Sequence, residues 1–100
     1  MKNFRTFNLA VEFYRNAKSL PLSGNVKEQF NRASLSIALN LAEGRARRTH
    51  KDQLRFFNIS FASLREIQAI MIIESLENTE EFKNLDVLAA HLYNLIKYAS

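Results

Sequence analysis

Cysteine and tryptophan are absent from this sequence of 100 residues, glycine occurs twice and proline once. Without cysteine there is no disulfide framework, no thiolate metal site and no cysteine nucleophile. So few turn residues argue against a sheet-rich domain and favour long helices with few connections. No long hydrophobic run is present. The longest, residues 69–73, falls far short of the roughly 20 apolar residues of a membrane-crossing helix. The start of the chain, Met1-Lys2-Asn3-Phe4-Arg5, carries charge but no apolar signal segment, so the expected location is cytoplasmic. Gly-rich phosphate loops and nucleophile elbows are missing. His50 and His91 are far apart, and neither sits in a Glu-x-x-His pattern. Glu43, Glu66 and Glu74 therefore lack the His partners that a metal-binding bundle places at helical spacing. No catalysis, metal or cofactor is expected.

What is present is apolar residue at helical period. The apolar fraction of 47% is that of a folded globular chain rather than a disordered one. One hundred residues make one domain, 1–100. Four helices are predicted, over about residues 4–19, 26–44, 50–76 and 80–99. The first carries Phe4, Phe7, Val11 and Tyr14 at spacings of three and four, and ends before Pro21 and Gly24. The second opens at Asn25, an N-cap candidate with Glu28 three residues on, and Gly44 is its expected stop. It has two apolar stripes: Phe30, Ala33, Ile37 and Leu41, and beside them Leu35, Leu39 and Ala42. Thr49, with Asp52 at the reciprocal position, caps the third helix. Leu54, Phe57, Phe61, Leu64 and Met71 form its stripe, interrupted at Gln68. Phe56, Ile59, Ile67, Ile70 and Ile73 flank that stripe. The fourth begins near Thr79, with Glu80 and Glu81 at the positive end of the helix dipole. Short connections make sequential helices antiparallel neighbours, so the expected fold is an all-α, up-down-up-down four-helix bundle. The second and third helices are apolar over a wider arc than a lone bundle covers, which predicts a homo-oligomer.

Charge is distributed unevenly. Residues 1–51 hold ten Lys/Arg and three Glu, a net +7; residues 52–100 hold four Lys/Arg and seven Asp/Glu, a net −3. The densest feature is Gly44-Arg45-Ala46-Arg47-Arg48-Thr49-His50-Lys51 at a helix–helix turn. Arg45, Arg47, Arg48 and Lys51 are the candidate phosphate contacts, with the following helix N-terminus adding N–H donors. The alternative is a solvated turn. No groove-reading helix or stacking-aromatic motif accompanies the cluster, so contact with RNA or DNA would have low sequence specificity. Polar residues also fall inside the apolar stretches. Arg32, Asn40, Glu43 and Arg65 are candidates for a structural polar network that sets helix register or subunit geometry.

The segment Asn31-Arg32-Ala33-Ser34-Leu35-Ser36-Ile37-Ala38-Leu39-Asn40-Leu41-Ala42-Glu43-Gly44 resembles the signature of the "four helix bundle protein" family. That family was first noticed as the product of intervening sequences in bacterial 23S ribosomal RNA genes, and its core reads Arg-Ala-x-x-Ser-Ile-x-x-Asn-Ile-Ala-Glu-Gly. Arg32, Ala33, Ser36, Ile37, Asn40, Ala42, Glu43 and Gly44 match, with Leu41 in place of Ile. Pro21 falls at the family's inter-helix proline, and the stretch from Phe56 to Glu66 resembles its third helix, with Phe61 and Arg65 as departures. The resemblance covers the chain. It implies a bundle assembled as a ring, commonly a homopentamer. It also implies a remote likeness in fold to the accessory variability protein (Avd) of diversity-generating retroelements, a basic pentamer that binds nucleic acid and a partner reverse transcriptase. The expected function is thus a non-enzymatic oligomeric bundle that binds nucleic-acid backbone, with or without a protein partner. A structural protein–protein adaptor with no nucleic-acid role is the alternative.

Overall fold

The computed structural model describes residues 4–99; residues 1–3 and 100, which the predicted domain includes, lie outside the described residues. Helix α1 spans Arg5–Asn16 and continues as one 3-10 turn, Ala17–Ser19. Helices α2, α3 and α4 span Gly24–Ala46, His50–Ile73 and Glu80–Ala99. At 1.5 Å per residue, 24 residues of α3 come to roughly 36 Å, which accounts for the 39 Å long axis of a molecule 22 Å across.

Side-chain pairs fix the topology. Phe13 meets Phe30 and Phe4 meets Arg45, so α1 and α2 run antiparallel. Ser36 bonds Ser63 while Gly44 lies against Phe57, which orients α2 against α3. The start of α3, His50 and Gln53, shares a cleft with Leu95 and Tyr98 near the end of α4. Helix α1 closes the square against α4. The bundle is up-down-up-down, and α2–α3 is its most extensive pair.

The core line of α2 is Phe30, Ala33, Ile37 and Leu41, as its first stripe predicts. The second stripe stays uncovered: Leu35 is 41% and Leu39 57% exposed. In α3 the buried line is Phe57, Ser60, Leu64, Ile67 and Met71. It runs unbroken at three-four spacing because Ser60, whose hydroxyl donates to Ile37 O at 2.8 Å, occupies a core position despite being polar. In α1 the buried residues are Thr6, Ala10 and Phe13, one position off the predicted stripe, so Phe7, Val11 and Tyr14 are only half-buried. Helix α3 has the length and hydropathy of a membrane-crossing helix, although its longest apolar run is short. Only 28% of that stretch is buried within this chain. Apolar surface is left over, with Ile59, Ile72 and Ile73 all exposed.

Several helix limits differ from those predicted, each for a local reason. Asn25 is not a cap. Helix α2 starts at Gly24, whose φ of +57° suits glycine, and Ser23 is the N-cap residue. Gly44 is not a stop. Helix α2 runs on to Ala46, and Gly44 instead lets α3 approach: a Cβ there would lie 2.6 Å from the Phe57 ring and 3.2 Å from Phe56 Cβ. Helix α3 ends at Ile73, short of residue 76. Ser75 has φ 60°, its N–H donates to Ile72 O at 3.1 Å, and the Leu76 N–H donates to Met71 O at 2.7 Å. These paired bonds are a Schellman termination built on serine rather than glycine. Thr49 caps α3 as predicted, accepting from Asp52 N at 3.1 Å.

Candidate functional site

The α2–α3 hairpin gathers residues 45–55 at one tip of the bundle, because its turn is only Arg47, Arg48 and Thr49. Beside it stand the start of α1 and the end of α4. The four predicted cations all lie at this tip, but in different states. Arg45 is exposed, in the last turn of α2, with its guanidinium 4.5 Å from the centroid of the Phe4 ring. Arg47 is committed twice: its Nη2 donates to Glu43 Oε2 at 3.0 Å, and its guanidinium lies 4.6 Å from the Phe56 ring centroid. Its Nε is buried without a hydrogen-bond partner among the described residues. Arg48 and Lys51 are exposed and carry no ion pair among the described residues. A fifth cation, Arg55, lies 4.5 Å from the same Phe56 ring. It falls one turn beyond Lys51 on α3, and this i,i+4 relation is the signal in the sequence that would have found it.

Phe4 and Phe56 therefore hold three guanidiniums at set positions, which lowers the entropy lost when those groups meet an anion. Electrostatically the tip is mixed but positive. Glu43 neutralises Arg47, and Asp52 stands in the first turn of α3. The cations left for an outside partner are Arg45, Arg48, Lys51 and Arg55. Beneath them Gln53 Nε2 donates to Arg47 O at 3.2 Å and pins the turn.

The predicted network of Arg32, Asn40, Glu43 and Arg65 does not form within the chain. Arg32 is exposed, Glu43 turns to Arg47, and Arg65 donates to Gln68 Oε1 at 2.8 Å with its guanidinium against Phe61. Glu43 and Arg65 each find a partner three or four residues along the chain, where no interhelical burial is needed. Only Asn40 takes part in a polar cluster. It donates to Ser36 O at 2.9 Å and to Ser36 Oγ at 3.0 Å, and Ser36 Oγ meets Ser63 Oγ at 2.9 Å. The polar link between α2 and α3 is thus built from serines and one asparagine. It lies half-buried beside exposed Leu35, Leu39 and Ile59. Among the described residues no three His, Asp or Glu side chains gather as a metal site would require.

No curated protein and no solved structure matches the chain. A family model does. It spans residues 4–98, which takes in α1 to α3, all but the last residue of α4, the Arg32–Gly44 segment and the α2–α3 turn. The chain belongs to the 23S rRNA-intervening sequence protein family.

Proposed function

We propose that this protein is a non-catalytic, self-assembling bundle that binds the backbone of RNA or DNA through its basic tip. The observation that carries this reading is the tip itself. Five cations from α2, its turn and α3 share one end of the molecule, and only Arg47 is offset by an ion pair among the described residues. Phosphate contact needs charge and accessible donors rather than a shaped groove, and an exposed helix–helix turn provides both. Few charges per subunit give weak binding, and assembly multiplies them.

Two surface regions, one apolar and one mixed, support assembly. The apolar one is the α2–α3 face with Leu35, Leu39 and Ile59. The mixed one, on the opposite side of the square, is a shallow α1–α4 groove of about 70 Å³ lined by Leu9, Phe13 and Val87 and by Glu12, Asn16 and Asn84. A closed ring joins two different patches head to tail, and each chain offers two. The family resemblance favours five copies.

A second reading has its own observation. The α2–α3 face is apolar enough to dock a different protein, such as a reverse transcriptase, in which case the tip is merely solvated. Fluorescence anisotropy with short RNA and DNA duplexes at two salt concentrations separates the readings, after light scattering has given the oligomer mass. The expected result is binding that weakens steeply with salt. The double variant Arg48→Ala/Lys51→Ala is expected to lose about tenfold in affinity and to flatten the salt slope by about two per subunit engaged. Affinity indifferent to salt, or to this double substitution, would move the function to the adaptor.

A further inference from the structure

The cleft between the basic tip and the end of α4 shares Arg45 with the backbone-binding cations, but the rest of its lining is not used by that reading. Its volume is about 190 Å³, and its lining is Phe4, Arg45, His50, Gln53, Phe57, Leu95, Tyr98 and Ala99. Ligand pockets for drug-sized molecules begin at roughly 300 Å³, so this one takes a single ring system rather than a large ligand. Phe4 and Phe57 are buried and make an apolar floor. Tyr98 stands above it 83% exposed, the most exposed large apolar side chain among the described residues. Arg45 and His50 form the polar side, close in sequence to Arg48 in the adjoining turn and Lys51 in the first turn of α3. Gln53 uses its Nε2 on Arg47 O, which leaves its Oε1 to accept a hydrogen bond.

We propose that this cleft receives an unstacked base of a single-stranded nucleic acid whose phosphates run over Arg45, Arg48 and Lys51. This rests on the nucleic-acid reading above and names its substrate as single-stranded. The chemistry follows from the lining. A base offers a flat apolar face, which an exposed tyrosine ring and a guanidinium plane stack against, and polar edges that a carboxamide oxygen can meet. In a duplex those faces are already stacked and paired, so a duplex reaches only the cations. Aromatic rings interleaved with cations are what single-strand sites combine, and among the described residues Tyr98 is the exposed aromatic that shares a cleft with Arg45 and His50.

The test uses the full chain with two labelled probes at one low salt concentration, an oligothymidylate of about 12 nucleotides and a duplex of matched length. Tyr98→Ala is expected to weaken the oligothymidylate by about tenfold and to leave the duplex unchanged, while Tyr98→Phe, which keeps the ring, is expected to bind like the parent. Duplex binding that persists while Tyr98→Ala leaves the single strand unaffected would overturn base insertion and leave the backbone reading standing. A loss that falls equally on both probes would overturn it as well, since the tyrosine would then serve the tip as a whole. A folded oligomer that binds neither probe would remove the backbone reading, and this inference with it.

Discussion

The two ends of the bundle are built differently. At the α2–α3 tip the turn is short, and three arginines are laid on phenylalanine rings. At the other end Glu74, Glu77, Glu80 and Glu81 surround the longer α3–α4 connection without an ion pair among the described residues. The basic α2–α3 turn and the acidic α3–α4 connection thus lie at opposite ends, although the α1–α2 connection brings Lys18 and Lys27 to the acidic one. An antiparallel hairpin puts its basic turn at one tip and sends the acidic turn to the other. The cations are positioned by aromatic rings, whereas the carboxylates are solvated. Cations held in place lose less entropy on meeting an anion than freely moving ones, and exposed carboxylates repel it.

The largest expected effect lies at the basic end. At Gly44 helix α3 comes too near α2 to leave room for a Cβ, and the ring it faces belongs to Phe57, which is 3% exposed. Ala is the better helix former by about 1 kcal/mol, which would favour Gly44→Ala. Overpacking a rigid core opposes it by about 1–3 kcal/mol, and with a contact at 2.6 Å the steric term wins. Gly44→Ala is expected to lose about 1 kcal/mol net and to lower Tm by about 4–8 °C at fixed protein concentration. Circular dichroism melts check this. An unchanged or raised Tm would mean that the tip does not depend on close helix approach.

Much of this was legible in the sequence. The four helices, their antiparallel order and the core line of α2 follow from apolar period and short connections. The basic turn could be read from four charges in seven residues. What escaped was set by distance in space. Phe4, Arg45 and Tyr98 lie in α1's approach, α2 and α4, and nothing in the chain order marks them as neighbours. Glycine's tendency to end helices points to a stop at Gly44, yet its missing side chain is needed by Phe57 in the next helix. Of the expected network only Asn40 joins a polar cluster, because short hydroxyls reach across a close helix pair with less desolvation than Arg32, Glu43 and Arg65 would.

The cap threonines sharpen the contrast by a smaller amount. Thr49 at the basic end is exposed and accepts one bond, from Asp52 N at 3.1 Å. Thr79 at the acidic end is half-buried and makes two: it accepts from Phe82 N at 3.2 Å and donates to Leu76 O at 2.7 Å. An N-cap threonine is worth about 1 kcal/mol, and loss of the second side-chain bond adds to this, although Leu76 O keeps the backbone N–H of residue 79 at 3.3 Å. Thr79→Ala is therefore expected to cost more than Thr49→Ala, by about 0.5–1 kcal/mol in urea unfolding. Equal costs would show that the acidic turn is no better tied than the basic one.

The smallest effect has the opposite sign. Ser75 holds φ 60°, a left-handed conformation that costs an L side chain about 1 kcal/mol and glycine nothing. Its N–H and that of Leu76 already close the Schellman bonds to Ile72 and Met71, so the backbone geometry needs no change. Ser75 is exposed, and its hydroxyl makes no hydrogen bond among the described residues that glycine would forfeit. Against the relief of strain stands the greater freedom of glycine in the unfolded chain, roughly 0.5 kcal/mol. The balance favours Ser75→Gly by about 0.5 kcal/mol, read as a higher urea midpoint with an unchanged slope. No matching gain exists at the other tip, where Arg47 leaves α2 in an extended conformation, with φ −76° and ψ 150°, that any residue adopts. A glycine at Arg47 should lose stability while one at Ser75 adds it, and this opposition of sign is the finest distinction the two ends offer.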